Sequence, residues 1–247
     1  PVTALFAVAP KIAAISLLVS VLMGPFKPLF DQWQQIIVVA SVLSMALGAF
    51  AALRQQNIKR LMAYSSIGNV GYVLLGLASG SEKGIEAVVF YLAIYLVMTL
   101  GVFATILMMK RRDIMLENIS DLAGLARSQP MMAFAMLIFM FSLAGIPPTV
   151  GFYAKLAVLQ AIVSTNVSLY IWLAIVAVLL SLVAAFYYLR VIKVMYFDEP
   201  VDAHPIASTG EVRTILSLNG AAILLFGILP GGLMAMCAQA IVKALSS

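Results

Sequence analysis

Long, continuous apolar runs occupy most of this sequence, and no other feature constrains its fold so strongly. Continuous rather than alternating runs favour helices. A bilayer core about 30 Å thick needs about 20 apolar helical residues, and a chain crosses it only as helices or as a closed barrel. Charged residues make up only 10% of the 247 residues, too few for the surface of a soluble protein. The sequence therefore predicts an all-α membrane protein.

Seven membrane-spanning helices account for these runs. They are predicted at residues 2–23, 34–53, 59–77, 85–109, 131–163, 169–195 and 212–229. A last apolar stretch, 233–245, is too short to span and is expected to lie along the interface as a short helix. The whole chain, 1–247, is interpreted as a single transmembrane domain.

Basic residues divide unevenly between the two sides that this topology creates. Ten lie in the loops after the second, fourth and sixth helices, and three lie on the opposite side. Because Lys and Arg accumulate in cytoplasmic loops, the N-terminus is predicted on the cytoplasmic or matrix side and the C-terminus outside. The net charge of +5 is thus mostly a topology signal, and it requires no nucleic acid as a partner.

Two lysines lie inside the predicted spans, and no carboxylate does. Lys11 is about nine residues from the start of its helix, too deep to reach the interface. Because a charge at this depth costs at least about 2.5 kcal/mol, an ionisable residue there is a functional hypothesis by default. An apolar medium also disfavours the charged form of an amine, a property that suits a proton-carrying site. The alternative is a lysine bound only to neighbouring carbonyls or to an acidic partner subunit.

The second lysine, Lys155, follows an interruption in the fifth span. As one helix, residues 131–163 would be about 50 Å long, too long for the membrane. The residues that break it are Gly145, Pro147 and Pro148. Broken helices at membrane depth recur in ion-coupled transporters, and the polar neighbours Thr149 and Tyr153 lie beside Lys155. A proline kink of purely packing origin is the alternative.

The third predicted helix is unusually polar for a membrane span. Its polar side chains are Tyr64, Ser65, Ser66, Asn69 and Tyr72. Spacings of three and four place Ser65, Asn69 and Tyr72 on one face. That face suits waters that join the two lysine sites, and it equally suits hydrogen-bonded helix packing. The fourth helix carries a similar, weaker stripe of Tyr91, Tyr95 and Thr99.

The sequence does not contain the residues that a metal or redox site needs. The single cysteine, Cys237, and the single histidine, His204, exclude cysteine-rich and multi-histidine sites. The sequence contains no phosphate-binding loop and no nucleophile–histidine–acid set. No metal and no redox cofactor is therefore predicted on this chain.

Three blocks of sequence carry a likeness to a known family. They are PVTA with APK (1–4 and 9–11), NIKRLMAYSSI (57–67), and SLAGIPP (142–148) followed by Gly151, Phe152 and Lys155. Over nearly its whole length the chain resembles the antiporter-like membrane subunits of respiratory complex I. The resemblance implies fourteen helices in two inverted five-helix repeats with flanking helices. Residues 1–23 would be the last helix of the first repeat, 33–195 the second repeat, and 212–229 the final span.

The resemblance also implies a function. Lys11 matches the lysine that connects two half-channels, and Lys155 matches the terminal proton-loading lysine, whereas Asn69 stands where many relatives have histidine. The chain would be a non-catalytic, proton-translocating subunit in a bacterial plasma membrane or mitochondrial inner membrane. Its partners would be other membrane-arm subunits and lipids. NAD, FMN, iron–sulfur clusters and quinone would bind in partner subunits and not to this chain.

The first broken helix of that family, with its own lysine and a partner glutamate, has no counterpart in this sequence. We therefore expect the C-terminal half of such a subunit, the other half being a separate or missing chain. Two other functions stay open. One is a subunit of a multisubunit sodium/proton antiporter, and the other is a structural scaffold with an inactive proton path.

Overall fold

The computed structural model describes residues 2–111, 114–115, 117–200 and 210–246, so Pro1 and His204 lie outside it. The helices in this part of the chain are α1 (Val2–Met23), α2 (Phe30–Leu53), α3 (Ile58–Ala78), α4 (Glu82–Met108), α5 (Leu125–Ser128), α6 (Pro130–Ala144), α7 (Val150–Val163), α8 (Ser168–Phe197), α9 (Gly210–Ile228) and α10 (Pro230–Ser246). The described strands are one short antiparallel pair, β1 (Lys110–Arg111) and β2 (Ile114–Met115).

Every predicted helix has a counterpart whose ends differ by a few residues, and the fifth is interrupted as predicted. Four of the described helices are long and apolar enough to cross a membrane, and a fifth crossing results if α9 and α10 form one bent pair. These two helices meet at an angle of 87°. The count of seven spans and the interfacial position of 233–245 stay predictions.

Local side-chain caps explain where two central helices begin. The Asn57 side chain accepts a hydrogen bond from the backbone N–H of Arg60 at 3.1 Å, and α3 starts at the next residue. The Ser81 hydroxyl accepts from the N–H of Gly84 in the same way at the start of α4. Each cap satisfies one of the free N–H groups that a helix leaves in its first turn.

Small residues allow α2 and α3 to pack at very short range. Gly48 of α2 faces the backbone of Gly68, and a Cβ atom on Gly48 would lie 2.8 Å from the carbonyl oxygen of Tyr64. Two turns earlier on α2, the Ser41 hydroxyl donates to the carbonyl of Gly71 at 2.7 Å. This close approach fixes the orientation of α3 and therefore of its polar face.

The central and peripheral helices differ in burial. The most apolar windows of α3 and α4 are 67% buried, whereas those of α2 and α8 are 28% and 17% buried. The outward side of α2 is a row of large apolar residues, namely Ile36, Val39, Leu43, Leu47 and Phe50. Such a surface is typical of helices that contact lipid or another membrane helix.

The three loops that contain most of the basic residues lie together at one end of the bundle. The N–H of Ile58, after α2, donates to the carbonyl of Glu117, after α4, at 2.8 Å. Arg127, in the same connection, lies 3.5 Å from Glu199, after α8. These three loops therefore lie on one side, as the charge count predicts, while the side of the membrane that they face stays a prediction.

Candidate functional site

The interruption between α6 and α7 begins with a glycine cap. Gly145 has a left-handed backbone (φ 83°), which glycine adopts without strain. The N–H groups of Gly145 and Ile146 both donate to the carbonyl of Phe141 at 3.0 Å, and that of Gly145 also lies 3.1 Å from the carbonyl of Ser142. A helix leaves four carbonyls free in its last turn. This cap satisfies two of them and leaves those of Leu143 and Ala144.

Lys155 satisfies the two remaining carbonyls. Its Nζ atom donates to the carbonyls of Leu143 at 3.0 Å and Ala144 at 2.9 Å, and to the hydroxyl of Ser181 on α8 at 3.1 Å. The side chain is buried, with 7% of the residue exposed. The carbonyl end of a helix carries partial negative charge, so it favours a cation. Lys155 is thus held at the end of the first half-helix by the second.

The ring of Tyr72 completes the surroundings of Lys155. Its centroid lies 5.2 Å from Nζ, within the range of an attractive cation–π contact. The described salt bridges lie elsewhere, at Lys59, Arg127 and Lys193. Within the described part of the chain, carbonyls, a hydroxyl and an aromatic face therefore hold this charge, and a carboxylate does not.

Two further contacts fix the start of α7 against the end of α6. The backbone N–H of Gly151 donates to the Ser142 hydroxyl at 3.1 Å, and a Cβ on Gly151 would lie 2.7 Å from the carbonyl carbon of Ser142. The Thr149 hydroxyl donates to the carbonyl of Ile146 at 2.7 Å. Thr149 therefore shapes the break itself. The Tyr153 ring packs edge-on against Phe152, 5.4 Å between centroids, so neither polar neighbour is hydrogen-bonded to Lys155.

Lys11 occupies a more open position, on α1. It is half-buried, and its Nζ donates to the hydroxyl of Ser66 on α3. The Tyr95 hydroxyl, on α4, donates to the same oxygen at 2.8 Å. The first lysine is therefore joined to the polar segments of both the third and the fourth helix.

The predicted polar face of α3 forms a second hydrogen-bonded group. The Asn69 amide donates to the Ser65 hydroxyl at 3.4 Å and accepts from the Tyr91 hydroxyl at 2.9 Å. The Ser65 hydroxyl lies 2.5 Å from that of Tyr188 on α8. Tyr72 directs its hydroxyl to a carbonyl of α8 instead. Tyr64 is half-buried and takes no part in the hydrogen bonds described for this group.

A small cavity separates this group from Lys155. Its volume is about 10 Å³, close to the minimum that holds one water molecule. Its polar lining consists of Ser65, Asn69, Tyr72, Lys155, Tyr187 and Tyr188. Among the described residues no direct hydrogen bond joins Asn69 to Lys155, so a water that connected them would occupy this cavity.

Two residues of α8 contribute to the site although the sequence did not predict them. Ser181 binds Lys155, and Tyr188 binds Ser65, yet neither was among the predicted site residues. A signal was present, because the two polar residues stand seven positions apart in an apolar helix and so lie on one face. In the described part of the chain, no group of three His, Cys, Asp or Glu side chains lies close enough to hold a metal ion.

Similarity to known proteins identifies the family of this chain. The sequence model described as "NADH:quinone oxidoreductase/Mrp antiporter, TM" matches residues 1–182, about three quarters of the chain. The chain belongs to this family. It is therefore an integral, multi-pass membrane protein, in agreement with its long apolar helices.

The similar curated proteins are named NADH-quinone oxidoreductase subunit N. The one from Herminiimonas arsenicoxydans is 50% identical over 100% of this chain and 51% of its own length. The one from Rhodospirillum rubrum is 53% identical over 93% of this chain and 47% of its own length. The chain thus spans about half the length of these relatives.

Solved structures share the fold. Respiratory complex I from Thermus thermophilus with bound aureothin contains a chain that is 29% identical, with a TM-score of 0.72, covering 81% of this chain and 45% of that one. A chain of the Mrp complex from Dietzia sp. DQ12-45-1b has a TM-score of 0.84 at 22% identity, covering 96% and 52%. The antiporter-like fold predicted from the sequence is confirmed.

Proposed function

We propose that this chain is a proton-translocating part of the membrane arm of an NADH–quinone oxidoreductase. The observation that carries the proposal is Lys155, a buried lysine bound to the end of a broken membrane helix. The roughly 50% identity to proteins named subunit N supports the choice of complex. A lysine held by neutral groups in an apolar interior is suited to lose and regain a proton.

The path that we propose runs from Lys11 to Lys155. Lys11 exchanges a proton with the hydroxyls of Ser66 and Tyr95, and waters carry it past the Ser65–Asn69 face to the cavity beside Lys155. Electron transfer in partner subunits, which bind NAD, FMN, iron–sulfur clusters and quinone, drives the protonation changes. This chain contributes proton sites, and the reaction that oxidises NADH takes place elsewhere in the complex.

A subunit of a sodium/proton antiporter is the second candidate function. The fold likeness to a chain of the Mrp complex favours it, and both functions use lysines in broken helices. The identity to subunit N, about twice that to the Mrp chain, favours the oxidoreductase. Purification of the intact complex separates them, because flavin and iron–sulfur subunits accompany only the first.

Replacement of Lys155 tests the proposal. Inverted membrane vesicles containing the assembled complex with Lys155→Ala should show only a small fraction of the wild-type NADH-driven proton uptake. Lys27→Ala is the matched control, because Lys27 is exposed and lies outside the site. Wild-type proton uptake and NADH–quinone activity in Lys155→Ala would contradict the proposal and favour a structural scaffold. Sodium-dependent exchange without NADH activity would favour the antiporter.

A further inference from the structure

The three hydrogen bonds of Lys155 match the charged form of its side chain. An ammonium group has three N–H donors and no acceptor. In the structure the Nζ atom has three acceptors, namely the carbonyls of Leu143 and Ala144 and the hydroxyl of Ser181. The protonated lysine therefore leaves none of its donors unused.

The neutral form of Lys155 needs different hydrogen-bond partners. After losing its proton, the amine keeps two N–H donors and gains a lone pair that needs a donor. The carbonyls of Leu143 and Ala144 can only accept, so they can retain the two N–H groups. A serine hydroxyl both accepts and donates. Of the three partners, Ser181 alone can turn its O–H toward the lone pair.

Tyr72 does not offer this second donor in the described arrangement. Its ring face, rather than its hydroxyl, points at Nζ, and its hydroxyl donates to the carbonyl of Ala177 at 2.7 Å.

We propose that Ser181 is a positioning residue for the proton site. Its hydroxyl accepts a hydrogen bond from protonated Lys155 and rotates to donate to the neutral amine, so both protonation states are fully hydrogen-bonded. This inference rests on the proposed function of Lys155. The N–H that is bound to Ser181 turns toward the neighbouring cavity and passes its proton to a water there, giving a neutral amine and a protonated water. The amine then turns its lone pair back to Ser181. Ser181 keeps its own proton throughout and changes only its direction.

The titratable groups around Lys155 also bear on its protonation. The titratable side chains that face the site are Tyr72 from α3 and Tyr187 and Tyr188 from α8. Tyr91 of α4 lies behind, stacked on Tyr72. The cavity residues from α2 are apolar, and the described side chains of α6 and α9 include no titratable group. Lys83 and Glu86 of α4 line a separate cavity beside Ala157 of α7. Among the described residues, no acid or second base contacts the Nζ atom of Lys155.

Three variants of Ser181 test the inference in the assembled complex. Hydrogen bonds to charged groups are stronger than those between neutral groups. Ser181→Ala should therefore destabilise the ammonium form of Lys155 more than the neutral amine. The pH of half-maximal NADH-driven proton uptake should move by about one unit toward acid, equivalent to a tenfold change in proton affinity. Ser181→Thr keeps the hydroxyl and should retain the wild-type profile. Ser181→Cys, with a weaker donor of similar size, should give an intermediate shift.

The controls separate this inference from the proposed function. Ser20→Ala removes a serine that bonds only within its own helix and should leave the profile unchanged. Profiles are compared at equal amounts of assembled complex. If Lys155→Ala loses proton uptake while Ser181→Ala and Ser181→Cys both reproduce the wild-type profile, Ser181 has no positioning role. If Lys155→Ala itself pumps normally, the proposed function fails first.

Discussion

The two membrane lysines are held in opposite ways. Lys155 is enclosed, and three acceptors from α6 and α8 surround its Nζ atom. Lys11 is half-buried and has one described hydrogen-bond partner, Ser66. The residues around Lys155 hold its charge within this chain. For Lys11 the described residues provide only part of what a buried ammonium group needs.

The two lysines therefore differ in how much the fold depends on them. Lys155 also completes the carbonyl end of α6, so its proton role cannot be separated from the geometry of the broken helix. Lys11 completes no helix end. We therefore expect changes near Lys155 to affect both assembly and proton transfer, and changes at Lys11 to affect mainly proton transfer.

The largest effect is expected from Gly151→Ala, which should disrupt the contacts that hold Lys155. The added Cβ would lie 2.7 Å from the carbonyl carbon of Ser142, so α7 must move away from α6. Overpacking of this kind costs about 1–3 kcal/mol, and the movement also separates Lys155 from its carbonyl partners. The amount of this chain in the purified complex should fall strongly, with proton uptake lost.

Gly231→Ala is the matched control, because its Cβ would have no neighbour within 4 Å. It should assemble and pump as the wild type does. Normal assembly and proton uptake in Gly151→Ala would show that the close approach of the two half-helices is not needed.

The sequence predicted the positions of the helices and the break in the fifth span, because long apolar runs and the Gly–Ile–Pro–Pro segment act locally. It also predicted that Ser65, Asn69 and Tyr72 share a face, which the cavity confirms. It did not predict which groups bind each lysine. Those contacts join residues 11 to 55 positions apart, and the packing of helices and half-helices, rather than local spacing, decides them.

The roles of Thr149 and Tyr153 show the same limit. Both stand close to Lys155 in the sequence, and proximity alone suggested a common polar path. In the structure Thr149 binds the loop carbonyl of Ile146, and Tyr153 packs on Phe152. On a helix, residues two positions apart, such as Tyr153 and Lys155, point in different directions. Thr149 is the residue before α7, so neither side chain reaches Nζ.

A smaller effect is expected from removing the charge at each lysine while keeping its apolar stem. Lys155→Met leaves two carbonyls and a hydroxyl without their donor, so the free energy of unfolding should fall by about 1–2 kcal/mol. Lys11→Met leaves Ser66 still bonded to Tyr95, and the loss should stay below about 1 kcal/mol. Detergent-induced unfolding of the purified complex measures the difference. Equal losses for the two variants would contradict the comparison.

The smallest effect is expected at a charged pair outside the spans. This pair differs from the two lysines inside the membrane, which have no described carboxylate partner. Hydrogen bonds from Lys59 and Asn57, together with the charge of Lys59, hold the pKa of Glu117 below its ordinary value of 4.5. The Lys59–Glu117 distance is 2.7 Å. A lowered pKa in the folded state means that ionised Glu117 stabilises the fold above pH 4.5, and that this contribution is lost as the pH falls through the lowered value.

Glu117→Gln should therefore reduce the thermal stability of the complex slightly at pH 7, and the difference from wild type should shrink as the pH falls below 4.5. Glu199→Gln is the control, because its pair with Arg127 is longer, at 3.5 Å, and more exposed, so little change is expected. Neither variant should shift the pH profile of proton uptake near neutrality, since neither touches a lysine in the membrane. A shift in that profile with Glu117→Gln would mean that the loop pair is coupled to the buried sites, and the separation drawn between charges outside and inside the membrane would then be wrong.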